Sequence, residues 1–484
     1  MSACLAWLRR KWGWTETFVL FGLVLRFIHY GRNPSMWHDE AALVLNVLDK
    51  NFLELLGPLE FAEAAPPLIL WLEKAVVLLL GDGTYALRLP SFLASCAALL
   101  LIPWLARQVL RPAAVPWAVL LFACSDHLLW HASEAKPYSF DVLAATLLAC
   151  LYCICRRWPL ERQLLVQVPV APLFIFLSYP GCFLYGGLLV AFLPALWRSK
   201  RIASWLSYMI LTGVVFGAFA LLALGPVRAQ RHDLMDQCWL EAFPPWDRPW
   251  AVPQWLLMST LDMIRYCCEP VGNALVGVLL VGAVCLWRNR QRAALALFLI
   301  PIGLALIASC LRSYPYGGAR VLIYASPAVI LLVAEGVPPS LAWFRARFRF
   351  GGVILILLLL APAGQVAYRL FNESGRSDCA SAAHYVLSKR RPSEVVAGAT
   401  WEARYYFRNL GTDYKEVSEI RADSLDRFWL IAVSADSAER RQIAEPYTLG
   451  NWRVVQQVEY ARTTVYLLER ASQNVTAHSP PALP

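Results

Sequence analysis

The sequence lacks the short motifs by which many soluble enzymes can be read. It has no G-x-x-x-x-G-K-[ST] loop, no G-x-S-x-G, no H-E-x-x-H and no paired C-x-x-C motifs. Nothing therefore points to a P-loop, a strained serine elbow, a zincin helix or a cysteine-bound zinc. There is no internal repeat, and charged residues make up only 16% of the 484-residue chain. What fills the chain instead is apolar: 58% of residues are hydrophobic and the mean hydropathy is +0.48. An ordinary soluble domain is about 45–50% apolar.

The apolar residues come in blocks separated by short basic runs, the layout of a multi-span helical membrane protein. The net charge of +10 sits in those short loops. It therefore reads as a topology signal in a lipid bilayer and not as a nucleic-acid surface. Most of the cysteines (Cys96, Cys124, Cys150, Cys153, Cys155, Cys285, Cys310) lie inside apolar blocks as small hydrophobes. Cys238, Cys267 and Cys268 fall in a polar loop that has room for one disulfide. The first apolar block follows Arg9, Arg10 and Lys11 without a small-x-small cleavage site, and reads as a retained signal-anchor.

Eleven or so spans are expected: Thr15 to Tyr30, Arg88 to Ala106, Val115 to Trp130, Tyr138 to Cys155, Leu164 to Tyr179, Cys182 to Trp197, Ile202 to Leu224, Pro270 to Trp287, Ala293 to Leu311, Val321 to Val337 and Phe350 to Tyr368. Pro66 to Leu80 is apolar but carries Glu73 and Lys74 at its centre. If it does not cross, all the basic clusters from Arg9 to Arg349 share one side. It is therefore read as an interfacial helix. The amino terminus is then cytoplasmic, while the first loop (31–87) and everything after Tyr368 lie outside. Residues 1–368 form the membrane domain. Residues 369–471 have ordinary polarity and read as a small α/β domain, with a helix at Ser381 to Arg390 and strands at Glu394 to Gly398, Arg427 to Val433, Trp452 to Tyr460 and Thr463 to Leu468. Residues 472–484 read as a disordered tail.

Four polar patches carry candidate chemistry on the outer side. The first loop holds Trp37-His38-Asp39-Glu40. Adjacent side chains point apart, so one carboxylate can take a proton from a hydroxyl while the other holds a substrate hydroxyl or a divalent cation. The plainer alternative is Asp39 capping a helix that begins at Glu40. His38 is the histidine to watch, and Glu63 is a further acid in that loop. Arg88 stands at the outer end of the second span, placed to meet a phosphate or to snorkel. Between the third and fourth spans, Asp126-His127, His131, Glu134, Lys136, Tyr138 and Asp141 are dense for membrane depth. Lys136 suits a phosphate as a point charge. Glu134 and Asp141 would share a helix face if the helix ran through Pro137. The fourth patch is Tyr314, Tyr316-Gly317-Gly318, Arg320 and Tyr324. There a guanidinium stands on a side otherwise without basic clusters and is suited to a phosphate fork.

The order of these pieces resembles the GT-C superfamily of polytopic glycosyltransferases, in the branch of the bacterial protein O-mannosyltransferases and lipid A aminoarabinose transferases. The resemblance lies in Trp37-His38-Asp39-Glu40-Ala41, Pro66-Pro67 with Trp71, Arg88-Leu89-Pro90-Ser91, Ser133-Glu134-Ala135-Lys136-Pro137-Tyr138, and Tyr316 to Arg320 before Tyr324 and Pro327. It spans roughly the first 340 residues. It implies an all-α GT-C-like membrane domain and an inverting transfer, metal-dependent or metal-assisted, in the bacterial inner membrane. The donor would be a polyprenyl-phosphate sugar, and the acceptor is open. Asp39 would be the catalytic acid residue and Glu40 its partner. Arg88, Lys136 and Arg320 would bind the donor phosphate, supported by His38, Glu134, Tyr138 and Tyr316. Magnesium or manganese would sit at Glu40 or Glu63. The family has arginine where this chain has Lys136, which keeps the charge and loses the fork. A lipid-linked-sugar flippase and a non-catalytic scaffold are the alternative readings, though no pair of broken helices in matched halves supports transport.

Overall fold

The computed structural model describes residues 13–231, 237–372, 375–420, 425–449 and 451–471. The tail read as disordered, 472–484, and the cluster from Arg9 to Lys11 lie outside them. The chain divides into two compact units. One comprises Met1–Asn33 and Asn46–Asn372, the other Pro34–Leu45 and Glu373–Pro484.

The first unit is helical. Among the described residues, eight helices are long and apolar enough to cross a membrane: Thr84–Val109, Tyr138–Cys155, Leu160–Leu177, Gly181–Ser199, Ile202–Gln230, Arg292–Cys310, Ala319–Arg347 and Gly351–Phe371. Counting a bent pair, Pro249–Cys267 with Gly272–Arg288, as one span gives nine. The three remaining expected spans differ for local reasons. Thr15 to Tyr30 lies in α1 (Trp14–Arg32), which carries Glu16 and Arg26. Val115 to Trp130 is broken at Cys124-Ser125 into α2 (Val115–Ala123) and α3 (Asp126–His131). Pro270 to Trp287 is the second limb of the bent pair. Its break of 101° falls where Pro270 has no amide to donate and where a Cβ on Gly272 would lie 2.4 Å from the Ile264 carbonyl oxygen.

Several buried charges in this unit are tied to neighbouring segments, as a low-dielectric interior favours. Arg26 donates to Ser95 Oγ at 2.8 Å and to the Gly22 carbonyl at 3.1 Å. Glu335, fully buried, accepts from the Arg111 backbone N–H at 2.9 Å and pairs with its guanidinium at 2.8 Å. The expected interfacial helix is α4 (Pro67–Leu80), 14 residues long. Its Lys74 ammonium donates to the carbonyls of Val47 and Leu48. Cys238, Cys267 and Cys268 are free thiols.

In the second unit, five strands run in the order β2 (Tyr414–Glu416), β1 (Val395–Gly398), β3 (Arg427–Val433), β5 (Thr463–Arg470), β4 (Trp452–Tyr460). β1 is parallel to β2 and β3, while β5 is antiparallel to β3 and β4. β3 is buried on both faces, as a covered central strand should be. Trp429 and Ile431 pack beneath helix Cys379–Lys389, and Phe428 and Leu430 pack beneath helix Ser437–Thr448. The alternation follows from the two-residue period of a strand. Trp429 is 1% exposed and its indole N–H donates to Glu394 at 2.9 Å. Trp429→Ala should therefore cost about 3–5 kcal/mol. Thermal melting of the full chain checks this, and an unshifted transition would exclude it.

Candidate functional site

The first unit gathers three of the four polar patches. Pro137 sits at the junction between them. It starts helix Tyr138–Cys155 afresh, because the residue before a proline is pushed out of the helical region. Glu134 therefore lies in the turn before that helix, and the condition for its sharing a face with Asp141, a helix running through Pro137, is not met. Asp141 instead accepts from Ser178 Oγ at 2.6 Å.

Within the turn, every charge has a partner. Both oxygens of Glu63 accept from the Lys136 ammonium, at 2.8 and 2.7 Å. The Lys136 carbonyl accepts from Ser91 Oγ at 3.0 Å, which links this turn to the Arg88-Leu89-Pro90-Ser91 motif. Arg88 is fully buried and donates to Asn33 at 2.9 Å. His131 is bonded at both ring nitrogens: Nδ1 lies 2.6 Å from Glu134 and Nε2 lies 2.7 Å from the Tyr266 hydroxyl. Trp130 donates to the other Glu134 oxygen. Tyr138 packs its ring against His131 at 4.5 Å.

An imidazole between a carboxylate and a phenol has one favoured tautomer: Nδ1–H donates to Glu134 and Nε2 accepts from Tyr266. Burial pushes His131 below the ordinary histidine value, against the pull of Glu134, and Arg320 lies near enough to add to the depression. The folded protein thus binds this proton less readily than the unfolded chain. Stability is complete above the unfolded value of about 6.5 and declines as pH falls below it through the lower folded value. Melting of detergent-solubilised protein should move to lower temperature between about pH 7.5 and about pH 5. His131→Gln should flatten part of that slope, and equal slopes would exclude a buried neutral His131.

Arg320 opens the 3₁₀ turn Ala319–Ala325 and lies over the Trp239 ring at 5.1 Å. The Gly317-Gly318 pair has a packing reason. A Cβ on Gly318 would meet Trp239 at 2.2 Å, and one on Gly317 would meet the Ala242 backbone at 2.7 Å. The Tyr316 and Gly317 amides both donate to the Ala242 carbonyl. Tyr316, 3% exposed, bonds through its hydroxyl to Thr260 at 3.1 Å.

Sequence reading did not single out Tyr266, Glu269 or Arg369. His127 Nε2 lies 2.6 Å from Glu269, whose carboxyl that bond holds below its usual range. Arg369 pairs with Asp126 at 2.5 Å. Donor atoms of Asp126, His127 and Glu269 all lie within 4.8 Å of one another, a spacing that a metal ion could bridge. Arg369 is the cation already there. No short-range sequence signal joins residues 126, 269 and 369.

Asp39, Glu40 and His38 belong to the second unit. Their helix begins at His38, two residues before the expected start. It is Glu40, not Asp39, that reaches back to the Trp37 amide, at 3.0 Å, the reciprocal arm of a capping box. Glu40 is fully buried and pairs with Arg376 at 2.9 Å. The two carboxylates suggested for a divalent ion, Glu40 and Glu63, thus each already neutralise a cation that an ion would have to displace. Neither is a ready donor set.

No family profile and no curated protein matches this sequence. Solved structures do, at the level of the fold. ArnT from Cupriavidus metallidurans matches in its apo state over 96% of this chain and 98% of its own, with 14% identity and a TM-score of 0.51. ArnT bound to undecaprenyl phosphate matches over 98% and 100%, with 14% identity and a TM-score of 0.52. The archaeal oligosaccharyltransferase AglB from Archaeoglobus fulgidus, in complex with an inhibitory peptide and a dolichol-phosphate, matches over 96% and 75%, with 10% identity and a TM-score of 0.51. What the likeness shows is a shared fold: a helical domain with several helices of spanning length and a small sheet domain toward its carboxyl end.

Proposed function

We propose that this chain is a membrane glycosyltransferase that moves a sugar from a polyprenyl-phosphate carrier to an acceptor hydroxyl on the outer face of a bacterial inner membrane. The observation that carries the reading is the whole-length likeness to a transferase whose structure holds undecaprenyl phosphate. The buried cations Arg88, on a helix, and Lys136, in a turn, together with the half-buried Arg320, support it. A lipid-linked donor accounts for such charges in a chain that is otherwise so apolar.

In the proposed reaction, Asp39 takes the proton of the acceptor hydroxyl. The oxygen attacks the anomeric carbon from the face opposite the phosphate. The carbon–phosphate-oxygen bond breaks and the carrier leaves as the free phosphate, with inversion at the sugar. Arg88, Lys136 and Arg320 offset the charge that develops on the leaving oxygen. Magnesium or manganese, the ions the family resemblance allows, enters no step here, because Glu40 and Glu63 are committed to Arg376 and Lys136.

The test is purified protein in lipid vesicles supplied with a polyprenyl-phosphate sugar. Release of the carrier phosphate coupled to glycosylation of an acceptor is expected. Intact donor moved across the bilayer without release would overturn the reading in favour of a flippase.

A further inference from the structure

The segment on either side of Asp39 is held by residues from the far end of the chain. Ser35 Oγ donates to Asp378 at 3.0 Å and accepts from the Ala380 amide at 3.1 Å. The amide of Met36, itself fully buried, donates to the Tyr406 hydroxyl at 2.8 Å. His38 stacks on Trp401 with ring centroids 4.1 Å apart, and its Nδ1 lies 2.9 Å from Glu402 Oε2. Arg376 pairs with Glu40 at 2.9 Å, and their side chains are 8% and 0% exposed.

This is a strong clamp on physical grounds. Glu40 is a fully buried carboxylate that pairs with the Arg376 guanidinium and accepts from the Trp37 amide. Removing the guanidinium takes a charge partner from a buried carboxylate, which the protein relieves by moving the carboxylate or protonating it. Either response loosens the first turn of the helix that carries Asp39. Glu402 restrains the residue just before Asp39, and Arg376 the residue just after. Asp39 itself is only half-buried, so its aim depends on its neighbours.

We propose that the carboxyl-terminal α/β domain is the positioning scaffold of the catalytic carboxylate, with Arg376 and Glu402 as the positioning residues for Asp39. Glu40 serves as the strut through which Arg376 acts. The proposal rests on Asp39 being the base. It gives the domain a part in turnover. Displacement of a reacting group by about 1 Å costs on the order of 10²-fold in rate.

The experiment uses the full-length protein in lipid nanodiscs and compares Arg376→Ala, Arg376→Lys, Glu402→Gln and Asp39→Asn. The readouts are kcat and KM for the polyprenyl-phosphate sugar, and hydrogen–deuterium exchange of peptides covering 34–45 and 84–109. Arg376→Ala should lose kcat by roughly 10²-fold with donor KM unchanged. Exchange should rise at 34–45 and stay level at 84–109. Arg376→Lys, which keeps the charge, should recover part of both, and Glu402→Gln should show a smaller loss of the same kind. Unchanged kcat with unchanged exchange at 34–45 overturns the proposal. So does a uniform rise in exchange, since the pair would then be a general stabiliser. Full turnover by Asp39→Asn overturns the base assignment and this proposal together. A dead Asp39→Asn beside a fully active Arg376→Ala overturns this proposal alone.

Discussion

Asp39→Asn is expected to lower kcat for sugar transfer by about 10²–10⁴-fold while leaving KM for the lipid-linked donor nearly unchanged. Asparagine has nearly the shape of aspartate and keeps one acceptor oxygen, with an amide donor in place of the other. What it cannot do is take the proton of the attacking hydroxyl. The loss should therefore fall on the chemical step and spare donor binding, which is assigned to cations on other segments. Glu40→Gln is the contrasting variant. Its side chain is buried against Arg376, so it should disturb the local turn, read as raised exchange at 34–45. Turnover by Asp39→Asn within a few-fold of the parent protein would remove the general-base role.

The second large effect is structural. Helices Val276–Arg288 and Ser326–Arg347 touch backbone to backbone. A Cβ on Gly336 would stand 1.9 Å from the Val278 carbonyl oxygen, and one on Gly282 would stand 1.8 Å from that of Leu332. Such approach between apolar helices needs residues without side chains. Even alanine cannot be absorbed by a rotamer change, because the atoms it meets are main chain. Gly336→Ala should push the two helices apart and cost about 1–3 kcal/mol or more. The apolar stretch of the span Ala319–Arg347 is mostly buried, so few neighbours can move aside, and the 3₁₀ segment at its start carries Arg320 and Tyr324. A lower melting temperature in detergent, a smaller monodisperse fraction on size exclusion and weaker donor binding should appear together. A Gly336→Ala protein that melts like the parent would show that the helix pair is more compliant than its contacts indicate.

Legibility differed sharply between features. The strand Arg427–Val433 and the hairpin strand Trp452–Tyr460 lie where alternating or continuous apolar runs placed them, since a half-covered strand alternates and a strand covered on both faces does not. β2 and the helices Trp401–Phe407 and Ser437–Thr448 were not read. They are short or weakly patterned and owe their position to the sheet they cover. In the membrane domain, eight apolar blocks correspond to helices of spanning length. The block at Val115 looked continuous because composition is blind to a break such as Cys124-Ser125. The charged turn at His131 to Lys136 was visible as a density of ionisable residues. Its pairings were not, because Glu63, Ser91 and Tyr266 come from three other segments.

From its sequence alone, this protein was determined to be a chain of apolar helices with a polar domain at one end and a carboxyl pair in its first loop. Those features depend on composition and on local period, which are properties of neighbours along the chain. Tertiary structure alone decided that Glu40 is a strut and not a second open acid, that His131 lies between Glu134 and Tyr266, and that residues near 376 and 402 hold the segment around Asp39. Apart from the three-residue contact of His131 with Glu134, these are ion pairs and hydrogen bonds between groups more than a hundred positions apart, and no local pattern encodes which distant partner the fold will bring.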